Sequence, residues 1–146
     1  MKDARNFFTQ KEKEEIVAAI AEAERHTSGE IRVHMENSCK EEDVFKHAIT
    51  VFTKLDMHKT ERKNGVLFYF AVKDKKFAIV ADKGINEVVK PDFWNGIKSQ
   101  MQQDFSMNNF SVGICKAIKA AGLQLAQFFP IQADDTNELS NEISTS

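Results

Sequence analysis

Val66-Leu67-Phe68-Tyr69-Phe70-Ala71-Val72 is a run of seven apolar or aromatic residues with nothing polar or charged between them. A strand with one wet face alternates, so a run without alternation predicts a central strand covered by helices on both faces. It is far too short to cross a bilayer as a helix. Downstream, Lys73-Asp74-Lys75-Lys76 is a compact turn and Phe77 to Ala81 reads as the returning strand of a hairpin. Upstream, Glu30 to Glu36 alternates strictly, with Ile31, Val33 and Met35 on one side and Glu30, Arg32, His34 and Glu36 on the other. That pattern predicts a strand buried on one face, at or near a sheet edge.

Helices fill the intervals. Thr9-Gln10-Lys11-Glu12 matches a capping box, and Ile16, Val17, Ile20 and Ala23 follow it on one face. That helix is expected to stop near His26, with Gly29 suited to a left-handed terminating conformation. Residues 41–55 carry the stripe Val44, Phe45, Ala48, Ile49, Phe52 and Leu55. Beyond Pro91 and Asp92, Trp94, Ile97, Met101 and Phe105 fall at helical spacing over Phe93 to Phe105. Ser111 is placed to cap a last helix with Ile114, Cys115, Ile118, Ala121, Leu125 and Phe129 on its buried stripe, ended by Pro130.

The crossover through the 41–55 helix makes the first two strands parallel, and the short turn makes the second and third antiparallel. The expected fold is α/β: a three-layer α/β/α sandwich, its small mixed sheet of at least three strands covered by helices on both faces. Its domain spans residues 1–130. Residues 131–146 hold Asp134, Asp135, Glu138 and Glu142 and no Lys or Arg, and read as a disordered acidic tail.

Composition narrows the function classes. With a net charge of −2 and basic residues scattered among acids, the chain has no electrostatic footprint for nucleic acid. Twelve Phe against one Trp and one Tyr suit aromatic core filling. No extended apolar segment follows Met1-Lys2-Asp3-Ala4-Arg5, so a cytoplasmic location without membrane insertion is expected. Cys39 and Cys115 lack metal or redox spacing and read as reduced thiols, and the four histidines are scattered without a zinc pattern. His34 and His58 read as solvated surface histidines.

Chain geometry brings three segments to one sheet edge. Thr27-Ser28-Gly29-Glu30 enters the first strand, Arg62-Lys63-Asn64-Gly65 enters the second, and Asp82-Lys83-Gly84-Ile85 leaves the third. Calcium or magnesium prefers oxygen ligands, and Glu30, Asp82 and the Asn64 amide could supply them there, with Glu87, Asp56 or Asp92 completing the set. Each residue also has an ordinary structural reading: Glu30 as a solvated strand-start acid, Asp82 as a turn former, Asn64-Gly65 as a turn dipeptide, Asp92 as a helix N-cap. The opposite edge, where open α/β sheets usually bind ligands, carries Asn37, Ser38 and the hairpin turn.

These segments, with Thr60-Glu61 before the second and the Trp94 to Gly113 stretch carrying Met101, Phe105, Phe110 and Gly113, resemble the TPM domain family over about residues 7–130. The resemblance implies an α/β/α sandwich, an acid phosphatase activity, divalent metal binding in some members, and roles in photosystem repair or beside membrane receptors. The chain is similar to the short bacterial members without an anchor, for which a LemA-like membrane protein is the implied partner; a monomer is expected. The residues themselves offer no Cys-x5-Arg loop, no Asp-x-Asp nucleophile motif, no paired His and no Walker-type loop, so no catalytic residue is assigned. Cation binding, service as an interaction module for a membrane-associated partner, and metal-assisted hydrolysis are the readings carried forward.

Overall fold

A computed structural model describes residues 3–132 and 138–146. The elements are α1 (Gln10–Glu24), β1 (Glu30–Glu36), α2 (Val44–Lys54), a 3-10 turn (Met57–Lys59), β2 (Gly65–Ala71), β3 (Lys76–Ala81), α3 (Lys83–Asn86), α4 (Pro91–Ser106), α5 (Phe110–Phe128) and β4 (Ser144–Thr145). The sheet order is β3-β2-β1-β4. β1 and β2 are parallel, with Glu30 opposite Gly65 and Glu36 opposite Ala71, and β2 and β3 are antiparallel, with Val66 opposite Ala81. Every residue of β2 is buried, as its uninterrupted apolar run requires.

Two cores flank the sheet, which makes the molecule a three-layer α/β/α sandwich. Ile31, Val33, Met35, Val66, Phe68 and Phe70 pack against α1, α4 and α5. Leu67, Tyr69, Ala78 and Val80 pack on the other face against Ala48, Val51 and Phe52 of α2. The capping box of α1 forms: the Glu12 amide donates to Thr9 Oγ1 at 3.1 Å, and the Thr9 amide donates to Glu12 Oε1 at 2.8 Å. Asp43 caps α2 by accepting from the amides of Phe45 and Lys46.

Several expectations need correction. Gly29 does not take a left-handed conformation; an added Cβ there would lie 2.9 Å from Leu125 Cδ1, so the glycine serves a close approach of α5 to the entrance of β1. Ser111 lies inside α5, where its hydroxyl donates to Glu12 Oε2 at 3.2 Å and does not cap the helix. Asp92 sits in the first turn of α4, behind Pro91, with Lys90 at the N-cap.

The largest departure is at the C-terminal segment, read from composition as disordered. Residues 138–146 run beside β1: Leu139 joins the core under α2, Ile143 packs on the opposite core, and β4 pairs in parallel with β1, His34 opposite Ser144. The Ser146 amide donates to Met35 O at 3.1 Å. The polar side of β1 is thereby covered, and Glu30 and His34 are each only 4% exposed. Asp134 and Asp135, also assigned to that tail, lie outside the described residues.

Candidate functional site

The three sequence segments do meet, and backbone bonds hold them together. The Glu30 amide donates to Asn64 O at 3.2 Å, the Asp82 amide to Gly65 O at 3.0 Å, and the Gly84 amide to Lys63 O at 2.9 Å. At Gly84 the loops touch so closely that a Cβ would stand 2.5 Å from Lys63 O and 2.6 Å from Arg62 O, which only glycine permits. Thr27 and Ser28 belong to the scaffold of this edge. The Thr27 hydroxyl and the Ser28 amide both donate to Phe129 O, fixing the end of α5, and Ser28 Oγ accepts from Asn64 Nδ2 at 3.2 Å.

The acidic residues of this edge differ in circumstance. Asp82 caps α3 through Oδ1, which accepts from the Lys83 amide at 2.7 Å, while its Oδ2 is buried with no hydrogen-bond partner. Glu30 is buried; its carboxyl accepts from the Leu139 amide at 2.5 Å. Burial pushes Glu30 up to about 7 against the Leu139 bond, and the nearby Glu138 carboxylate pushes the same way. Glu24, which accepts from the Ile31 amide at 2.8 Å, is likewise raised to about 7 by burial and by the Glu30 charge. Glu138 accepts from the Glu61 amide at 3.3 Å, drawing the C-terminal segment over the loop before β2.

The remaining predicted ligands lie further out. Asp56 is exposed in a left-handed conformation, φ 58°, and pairs with Lys59 at 3.3 Å. Glu87 is exposed at the C-cap of α3, and Asp92 is exposed on α4. Asn64 is buried, and the turn before β2 uses the left-handed φ of Lys63, 54°, with no positive φ at Gly65. Among the described residues, no three His, Cys, Asp or Glu side chains gather as a ready-made metal site. Two further side-chain atoms of the same loop, Thr60 Oγ1 and His58 Nδ1, are also buried without a hydrogen-bond partner.

A second polar cluster, unforeseen from the sequence, stands at the other end of β1. Glu36 Oε1 accepts from Tyr69 Oη at 2.6 Å and lies 2.7 Å from His47 Nε2, and Glu36 Oε2 accepts from Ser146 Oγ at 2.6 Å. His47 Nδ1 reaches Glu41 Oε1 at 3.1 Å. His34 is not a solvated surface residue: it lies between Ser144 Oγ at 2.7 Å and Ser146 Oγ at 2.8 Å, parallel to the Tyr69 ring.

Burial opposes the charge of Glu36, but the Ser146 and Tyr69 hydroxyls and the His47 imidazole outweigh it and hold the carboxyl down at about 2. His47 is raised, burial opposing and the Glu36 and Glu41 carboxylates prevailing; His34 is lowered by burial. One sequence signal pointed here. A tyrosine in an otherwise apolar central strand needs a partner for its hydroxyl. That partner, Glu36, ends the adjacent parallel strand, opposite Ala71 and two pairs along from Tyr69.

The cluster ties β1, β2, α2 and the C-terminal segment into one hydrogen-bonded unit. Its acceptors are matched by the protein's own donors. The strand-entrance edge is the opposite case, with an unpartnered carboxylate oxygen and carboxyls that resist ionisation.

Cys39 and Cys115 are both free thiols. No helix among the described residues is long and apolar enough to cross a membrane.

The fold and these sites can be compared with known proteins. The NMR structure of the BA42 protein from the psychrophilic bacterium Bizionia argentinensis is 46% identical, with 100% of both chains covered and a TM-score of 0.90. The N-terminal domain of the cg2496 protein from Corynebacterium glutamicum shares the fold at 10% identity and a TM-score of 0.65, over 94% of this chain and 80% of that one. The N-terminal domain of a P. gingivalis protein does so at 14% identity and a TM-score of 0.67, over 85% and 80%. No curated protein matches significantly. The sequence profile of the TPM domain matches residues 1–124, and the chain belongs to the TPM domain family.

Proposed function

We propose that the chain binds a divalent cation, calcium or magnesium, at the strand-entrance edge. The observation that carries this reading is Asp82 Oδ2, a carboxylate oxygen buried without a partner where the loops before β2 and after β3 cross. A carboxylate oxygen withdrawn from water and left unpaired is costly, and a hard cation is the ligand that offsets the cost. The raised Glu30 supports the same reading, because crowded buried carboxylates favour any added positive charge.

Asp82 would be the primary carboxylate, with the Thr60 hydroxyl, the Asn64 amide and the Glu138 carboxylate as further oxygen donors from the crossing loops. Calcium commonly completes such partial sets with main-chain carbonyls and water. The consequence would be mechanical: a cation there would tie the loops that position the entrances of β1 and β2 and the exit of β3.

Calcium and magnesium titrations followed by amide NMR test the proposal. Saturable shifts are expected first at residues 30, 58–65, 82–84 and 138–139. Asp82→Asn keeps a side chain able to cap α3 and is expected to weaken binding at least tenfold, about 1.4 kcal/mol or more. Shifts confined elsewhere, or an unchanged affinity in Asp82→Asn, would contradict it.

A further inference from the structure

The strand-exit edge holds a cavity that the cation reading does not use. It measures about 440 Å³ and lies where β1 and β2 end and β3 begins, in the range of small-ligand sites and on the side where open α/β sheets bind ligands. Its walls are aromatic. Phe7 and Phe110 stand 5.2 Å apart, Phe110 and Phe105 5.3 Å, Phe105 and Phe77 5.4 Å, and Phe105 and Phe70 5.9 Å. These rings are in contact with one another, most of them at steep angles, and line the cavity together, although Phe70 is itself buried.

The mouth is chemically one-sided. Lys75 of the hairpin turn and Lys76, the first residue of β3, border it together with the neutral side chains of Gln102, Ser106 and Asn108, and no Asp or Glu is among the lining residues. The acid of that turn, Asp74, is turned away, its Oδ2 accepting from the Cys39 amide at 2.7 Å. Lys75 adopts a left-handed conformation, φ 54°, at a position where glycine would be the easier choice.

An aromatic cavity with ammonium groups and no carboxylate at its mouth is complementary to an apolar body bearing one anionic head. A phosphorylated sugar or a nucleotide would leave its polar hydroxyls against phenyl rings without partners. A cationic amphiphile would meet like charge. From this pairing of an apolar aromatic cavity with a lysine-only charged rim, we propose that the strand-exit edge binds a free medium-chain fatty acid, its acyl chain among Phe7, Phe70, Phe77, Phe105 and Phe110 and its carboxylate at Lys75 and Lys76.

Amide NMR titration of the full chain with decanoate tests this, using decyltrimethylammonium and anionic phospholipid vesicles as comparators. Saturable shifts at residues 70–77 and 102–110 are expected with decanoate and not with the cationic analogue. The double variant Lys75→Glu, Lys76→Glu reverses the rim charge at an exposed turn residue and at the half-buried first residue of β3, and it alters none of the aromatic side chains. It is expected to keep the wild-type spectrum away from the turn and to bind decanoate roughly tenfold more weakly.

Four results would overturn the proposal: no saturable decanoate shifts, shifts mapping to another surface, equal binding of the cationic analogue, or undiminished binding by the double variant. Binding to vesicles without binding of monomeric decanoate would also overturn it, by assigning the lysines to a membrane surface. Because the cation residues lie at the opposite end of the sheet, failure here leaves the calcium titration unaffected, and the converse holds.

Discussion

Glu30 and Glu36 are the same residue type on the same side of the same strand, at its two ends, and their neighbours drive them in opposite directions. Glu36 is held down at about 2 because Ser146, Tyr69 and His47 all direct donors at it and outweigh its burial. Glu30 is pushed up to about 7 because burial meets only main-chain donors there and the Glu138 charge adds to the cost. Position in a strand therefore says little about what a carboxylate does; the balance of donors against acceptors around it decides. At one end of β1 the carboxylate is matched by side-chain donors, and at the other Glu30 meets main-chain donors and the Glu138 charge.

Removing the completed end gives the largest expected effect. Glu36→Ala removes the acceptor shared by Tyr69, His47 and Ser146 and is expected to lower stability by about 3 kcal/mol in urea unfolding. The pH dependence has a defined sign. With a depressed folded pKa, the stabilisation by Glu36 is present above the unfolded carboxylate range and is lost as pH falls towards 2, and Glu36→Ala should abolish that part of the acid transition. A variant as stable as the wild type would remove the contrast between the two ends.

Gly84→Ala addresses the unfinished end. Its methyl group would meet the Arg62 and Lys63 carbonyls, which are backbone and cannot swing aside, so a loss of about 2 kcal/mol is expected together with weakened cation binding. Tyr69→Phe is the smaller test at the completed end. Loss of one hydroxyl donor to a charged acceptor should cost about 1.5 kcal/mol and leave cation binding unchanged. If Tyr69→Phe alters calcium affinity, the two ends are coupled and do not act separately.

The sequence carried the strand-entrance edge better than the strand-exit cluster, for physical reasons. Strand direction follows from connection length, so the convergence of Glu30, Asn64 and Asp82 was legible from alternation at 30–36, the apolar run at 66–72 and the short turn at 73–76. The roles of Gly29 and Gly84 were not legible, because each is set by an approach from a distant segment, Leu125 in one case and the Arg62-Lys63 carbonyls in the other.

Burial of His34 and completion of the Glu36 cluster depend on residues 138–146. Their Ser, Asn and acid content reads as solvated chain, and only Leu139 and Ile143, one for each core, mark it as docked. The alternation in β1 accordingly predicted a wet face, and the C-terminal segment dried it. His47 reached Glu36 through α2, a contact between a strand end and a helix start that no local periodicity encodes.

The central claim is the proposal that a divalent cation binds at the Glu30 end of β1 and offsets the cost of its buried carboxyls. Thermal unfolding of wild type and Glu30→Gln at about pH 5.5 and about pH 8, in EDTA and in calcium, tests it most directly. Glu30 has a raised folded pKa, so its ionisation costs stability progressively as pH rises through about 7. The account predicts that wild type in EDTA is less stable at the higher pH, that calcium restores roughly 5 °C of Tm there and much less at the lower pH, and that Glu30→Gln shows a flatter pH dependence. Equal calcium effects at both pH values, or none at either, would contradict it.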